Sequence, residues 1–231
     1  MVNTIIDYLQ GMDDLAVAIR LVIATACGSL IGWERVVRRH SAGIRTFALV
    51  SLGSAVAAVL NIYLALIPNL NADVSRIPAG VVSGIGFLGA GTILVTGRNQ
   101  IKGLTTAATL WVASCMGMAF GAGYLSVGFV CFILVLIANL LLMHLSTRVE
   151  ENSRYVSLYI EVEETNGIKK LRKSFVGMGY QITSMNKTKD KTLSGTDTAL
   201  MIDLDFKKRH SHLKLIDDLN NLDFVSYVEE V

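Results

Sequence analysis

Charged side chains are scarce: they make up 17% of the 231 residues, where a soluble domain carries roughly 25%. The shortage is local. Residues 1–151 hold 9 of the 21 Lys and Arg and 7 of the 19 Asp and Glu, whereas residues 152–231 hold 12 and 12. The first two thirds of the chain therefore cannot present an ordinary water-facing surface. Cysteine is limited to Cys27, Cys115 and Cys131, each inside an apolar run. Without CxxC or Cys/His spacing, neither a zinc site nor a disulfide framework is indicated. A formal charge of +2 with no basic block argues against a nucleic-acid partner. No P-loop sequence appears, which argues against ATP-driven pumping by this chain alone. The histidines are equally sparse. His40, His210 and His212 fall in loops or helix starts, and His144 caps an apolar run. No Ser/His/Asp or Cys/His set is suggested, so the expectation is a protein that is not an enzyme, with no cofactor and no metal site.

What is present is apolar. Spanning a bilayer takes ~20 mostly apolar residues. Leu15–Gly32, Ile44–Ile67, Ile77–Thr96, Leu104–Gly121 and Tyr124–Leu145 qualify or come close. The first has an acidic leading flank (Asp7, Asp13, Asp14) rather than a basic one, and reads as a retained helix. Lys and Arg alternate between loops: none precede residue 15, then Arg35, Arg38, Arg39 and Arg45 follow the first stretch. Only Arg76 follows the second, Arg98 and Lys102 the third, none the turn Gly121–Gly123, and Arg148 the last. Basic loops mark the cytoplasmic side, so five crossings are expected, with the N-terminus outside and the C-terminus in the cytoplasm.

After Glu150 the period changes. Val156, Leu158, Ile160 and Val162 alternate with Ser157, Tyr159, Glu161 and Glu163, which predicts a strand with one wet face. Ile168, Leu171, Phe175 and Met178 recur at helical spacing opposite Lys169, Lys170, Arg172 and Lys173. A weaker strand over 180–190, a turn over 193–197, a strand over 200–206, a helix through Leu215, Leu219 and Leu222, and a strand over 224–231 complete the pattern. The expected fold is thus a membrane all-α bundle of about five transmembrane helices plus a C-terminal α+β ferredoxin-like βαββαβ domain. Its domains are an extracytoplasmic segment 1–14, a membrane domain 15–147, a linker 148–154 and a cytoplasmic domain 155–231.

Gly84-Ile-Gly86-Phe-Leu-Gly89 fits GxGxxG, but a dinucleotide loop needs a preceding strand, and here the glycines lie inside an apolar span. Small residues let membrane helices approach closely. Gly80, Gly84 and Gly91 share one face, with Gly86 on the adjoining one, and Gly28 with Gly32 and Gly117 with Gly121 repeat the spacing. The third helix is expected to be the packed centre, with a kinked helix lining a cavity as the alternative. Arg20 lies about 7.5 Å inside the first stretch, deep enough to matter and shallow enough to snorkel. Glu34, the one acid between Leu15 and Leu66, is expected to pair with Arg35 or Arg45. Such a group is either a clamp between two helix ends or an anion or partner site built from Arg35, Arg45 and Thr46. Magnesium wants several oxygen ligands, and from Leu15 to Thr147 the acids are Glu34 and Asp73 alone.

Residues 28–53, GSLIGWERVVRRHSAGIRTFALVSLG, and 76–111, RIPAGVVSGIGFLGAGTILVTGRNQIKGLTTAATLW, resemble the MgtC/SapB family of bacterial membrane proteins. The chain departs from the family's run at Gly80, where a glutamine is common. The resemblance implies an inner-membrane protein tied to growth in low magnesium and to survival of pathogens in phagocytes. It implies a regulator, one restraint being on the proton-translocating ATP synthase, rather than a magnesium carrier. It also implies an ACT-like C-terminal domain, in which the turn Glu164-Thr-Asn-Gly-Ile168 would lie at a ligand position. Two functions follow as expectations. One is a non-enzymatic regulator that binds another membrane protein, or its own copy, through glycine-rich helices, with Arg76 among the candidate residues. The other is an ion or small-solute pathway along Arg20, Glu34 and Arg45.

Overall fold

The computed structural model describes residues 8–95, 101–145, 153–163, 166–188, 197–206 and 212–230. Arg98, Arg148, most of the 148–154 linker, the start of the 164–168 turn and most of the 193–197 turn lie outside the described residues. Two compact units divide the chain, the first ending at Leu141 and the second beginning at Leu142.

The first unit is helical. α1 (Asp14–Val37), α2 (Ile44–Leu66), α4 (Leu104–Gly121) and α5 (Leu125–Ile137, extended through a π turn at Ala138–Leu142) are joined by α3 (Arg76–Thr92). Four of these, with α5 counted to Leu145, are long and apolar enough to cross a membrane. α3 has 17 residues, the lower edge of what a bilayer core needs. The third stretch was expected to run to Thr96. It stops at Thr92, and Leu94–Val95 (β1) pairs with Ile101–Lys102 (β2) in a short antiparallel hairpin. Conversely, α1 runs to Val37, five residues past the expected end. Glu34 and Arg35 therefore stand within a helix rather than in a loop.

Side chains such as Val22, Leu49, Phe87 and Ile133 are exposed on the helices. In a bilayer that surface meets lipid tails as apolar as themselves. Inside, Phe47, Leu110, Met116 and Phe120 fill the core, and small residues set how closely the helices approach. A Cβ on Gly28 would lie 2.6 Å from the Phe47 carbonyl oxygen, and one on Gly32 2.6 Å from Ile44 Cα. One on Gly117 would lie 2.3 Å from the Ser51 oxygen, and one on Gly121 2.2 Å from the Ala55 oxygen. Ser54 and Ser114 share a buried hydrogen bond of 2.8 Å between α2 and α4, and Ser51 Oγ donates to the Ala24 carbonyl of α1 at 2.8 Å. The centre of this unit is therefore α1, α2 and α4. This corrects the expectation for α3: among the described residues, nothing lies within 4 Å of a Cβ on Gly80, Gly84, Gly86 or Gly91. α3 buries Ile85 and Gly89 alone. A Cβ at Gly89 would sit 3.4 Å from that of Ala107.

The second unit is β3 (Tyr155–Val162), α6 (Gly167–Gly177), β4 (Gln181–Lys187), β5 (Thr198–Asp205), α7 (His212–Asn220) and β6 (Val225–Glu230). The sheet order is β4-β5-β3-β6, antiparallel throughout, consistent with an ACT-like domain. Leu158, Ile160 and Val162 of β3, Ile202 and Leu204 of β5, Leu171 and Phe175 of α6 and Leu215 and Leu219 of α7 close its core. The wet face of β3 is not uniformly wet. Tyr159 and Glu161 are buried, with the Tyr159 hydroxyl donating to Glu161 Oε1 at 2.8 Å.

Candidate functional site

The buried stripe of α1 runs Ala16, Arg20, Ala24, Cys27 and Gly28, Ile31, Arg35, the three-to-four-residue step of one helix face. An arginine stands near each end, about 22 Å apart at 1.5 Å per residue. Both are fully enclosed, Arg20 at 0% and Arg35 at 2% exposure. A long cationic side chain this deep ordinarily reaches for the interface; these two turn inward.

Around Arg35 the polar side chains gather. Glu34 Oε1 lies 2.8 Å from Arg38 Nε, and its Oε2 lies 3.9 Å from Arg35 Nη1. The Arg38 contact is an ion pair by distance, with its N–H not aligned to donate to Oε1. Asn139 Nδ2 donates to Glu34 Oε2 at 3.3 Å. Thr109 Oγ1 donates to the Thr105 carbonyl at 2.7 Å and stands 3.5 Å from Asn139 Oδ1. Arg35 Nη2 donates to Thr106 Oγ1 at 3.4 Å. The cluster thus draws on α1, α4 and α5 at one level. Asn139 is brought inward on the π turn of α5, a distortion that often accompanies functional sites. His40, just beyond α1, donates its backbone N–H to the Arg35 carbonyl at 3.0 Å. Burial, and then the neighbouring Arg35 charge, hold its imidazole below the ordinary histidine pKa.

Arg45 and Thr46 are exposed at the start of α2, and Glu34 pairs with Arg35 and Arg38 instead of Arg45. The expected α1–α2 clamp is therefore replaced by a contact within α1 that reaches across to α5. The reason is the longer α1, which puts Arg38 one turn after Glu34 on the same face. Arg76 stands exposed with Asp73 at 3.9 Å. Asp73 sits below its ordinary pKa, chiefly through its hydrogen bond from the Ser75 hydroxyl. Arg38, Thr106, Thr109 and Asn139 escaped the sequence reading. A signal did exist for one of them, since Asn139 is an amide in the middle of the most apolar stretch of the chain.

Arg20 does not snorkel. Its Nη2 lies 3.8 Å from Met12 Sδ, while Nε and Nη1 have no hydrogen-bond partner among the described residues. Gly123, at φ +85°, closes over it, and a Cβ there would lie 2.7 Å from Nη1. The tight α4–α5 turn is thus shaped around a guanidinium.

Chemically, the cluster holds one carboxylate against two guanidiniums and an amide. Among the described residues, no three of His, Cys, Asp and Glu gather where they could hold a metal ion. Glu34 is committed to cations already present.

The helices and the sheet define a multi-pass membrane protein with an α+β C-terminal domain. The chain belongs to the MgtC family, whose model matches residues 21–148, including every residue of this cluster. It is 32% identical to an uncharacterized protein of Haemophilus influenzae over 187 residues, 78% of this chain and 79% of that one. It is 39% identical to the putative magnesium transporter YhiD of Escherichia coli K12, over 61% of this chain and 66% of that one. It is 41% identical to protein MgtC of Salmonella typhimurium LT2, over 58% of this chain and 55% of that one. The match thus spans about half the length of the Salmonella relative. No solved structure matches.

Proposed function

We propose that this chain is a non-enzymatic regulatory protein of the bacterial inner membrane, serving adaptation to low magnesium by binding another membrane protein through α3. The observation that carries this reading is the open glycine face: Gly80, Gly84, Gly86 and Gly91 meet nothing within 4 Å among the described residues. Glycines weaken a helix by about 1 kcal/mol each relative to alanine, and Gly28, Gly32, Gly117 and Gly121 stand where another backbone needs the room. A second helix could approach α3 as closely as α4 approaches α2. The link to magnesium is supported by the names of the relatives, one a putative magnesium transporter. The family resemblance points to the proton-translocating ATP synthase as partner and to survival within phagocytes as the setting.

The second reading is transport of magnesium or another ion, and the name of the Escherichia coli relative favours it. The occupied state of Glu34 weighs against it, because a hard dication needs several oxygen ligands and this carboxylate faces guanidiniums. A photo-crosslinking residue at Gly84 in native membranes should capture a subunit of the ATP synthase, and Gly84→Leu should fold normally while losing that partner. In liposomes under an imposed gradient, the purified chain should pass no magnesium. Saturable flux abolished by Glu34→Ala would replace the regulator reading with the transport one.

A further inference from the structure

The cations of the C-terminal domain are unevenly placed. α6 carries Lys169, Lys170, Arg172 and Lys173 and no acidic residue, whereas α7 carries Lys214 against Asp217 and Asp218. α6 packs inward through Ile168, Leu171 and Phe175, which turns the cations outward. Lys170 is engaged over the Phe224 ring, 5.6 Å from its centroid. The other three are not scattered. Lys169, Arg172, Lys173 and Val176 step i, i+3, i+4, i+7 along one helix face and line a shallow cleft of about 390 Å³. Val176 is 67% exposed and Met178, just beyond the helix, 38%. Three cations ending in an apolar tip match a phosphate headgroup with an acyl chain beside it, the charge complementarity of a basic face to an anionic lipid surface.

Connectivity makes that surface available. About ten chain steps separate Leu145 at the end of α5 from Tyr155 at the start of β3, a reach of at most ~35 Å. A tether of that length holds the helix at high effective concentration against the bilayer.

We propose that the Lys169–Arg172–Lys173–Val176 face of α6 docks on the anionic phospholipid of the membrane that anchors the chain. Each cation near an anionic surface contributes independently and is screened by salt. The face thus reads the local density of acidic lipid, and the domain alternates between a docked and a released position.

The test uses the full chain in nanodiscs of phosphatidylcholine alone or with one third phosphatidylglycerol, followed by hydrogen–deuterium exchange. Amides of residues 167–177 should exchange at least about fivefold more slowly with phosphatidylglycerol, the effect of one lysine-equivalent of surface attraction. Salt at about 1 M, where the screening length is ~3 Å, should erase the difference. So should the K169Q/R172Q/K173Q variant, whose β3 and β5 amides should remain as protected as in the parent. Exchange at 167–177 that ignores lipid charge overturns the proposal. Slow exchange in both lipids would overturn it too, assigning the face to protein, whether a second copy or another partner. Protection by phosphatidylglycerol that survives in the triple variant would also overturn it, because these cations would not be what binds.

Discussion

Glu34 is enclosed by Arg38 one turn later, Arg35 beside it and Asn139 from α5, and this set of partners decides what each substitution does. Removing one member of a partly buried pair leaves the other uncompensated. With Arg38 about a fifth exposed, water softens that loss below the 3–5 kcal/mol of a deep pair. Glu34→Gln and Arg38→Gln should each lower stability by about 1–3 kcal/mol, and the double variant should cost less than the sum. Arg45→Gln should stay within about 0.5 kcal/mol of the parent, as exposed substitutions do. Unfolding in detergent micelles measures all four. Additivity of Glu34 and Arg38, or a large loss at Arg45, would restore the α1–α2 clamp that the sequence suggested. The misreading has a local cause. Hydropathy ends α1 at Gly32, where the charged residues begin, but a helix with buried partners for those charges has no reason to stop there.

The glycines of α3 behave differently from those of α1 and α4, although their spacing is alike. Gly117 touches the backbone of α2 so closely that a Cβ would sit 2.3 Å from an oxygen, while Gly84 has open space. Gly117→Ala should therefore destabilise the protein by about 1–3 kcal/mol, the usual cost of overpacking, and Gly84→Leu should leave thermal stability unchanged or raise it slightly through better helix propensity. Circular dichroism melts of both in one detergent make the comparison. Loss of stability at Gly84 would mean that α3 is packed in the isolated protein. The π turn is the other finding at this scale: α5 reads as one uninterrupted apolar helix, yet its fourth turn widens where Asn139 meets Glu34 and Thr109.

For the whole molecule the number of crossings turns on α3. α3 spans about 25 Å at 1.5 Å per residue, against a hydrocarbon core of about 30 Å. The alternation of arginine-rich and arginine-poor loops nonetheless asks for five crossings. Reporters fused at the N-terminus and after Val231 should fall on opposite sides of the membrane, with Val231 cytoplasmic. Both ends on one side would make α3 and its hairpin a re-entrant element and leave four crossings.

Spanning helices and the βαββαβ order were legible in the sequence because both are local. An apolar run of sufficient length needs no partner to be recognised, and strand alternation or helical spacing records which side of each element meets a core. Arg20 could likewise be seen inside the first apolar stretch, whereas Arg35 falls past its hydropathic end and joins Arg20 on one face only because α1 runs on to Val37. What only the tertiary structure decided is how the helices turn toward one another. In lipid, the outside of a bundle is as apolar as its inside, so hydropathy cannot tell the glycines of α3 from those of α1 and α4. The rotation is set instead by a few backbone approaches and buried polar contacts, Gly117 on Ser51, Ser54 with Ser114, Asn139 with Glu34, each joining residues far apart in the chain.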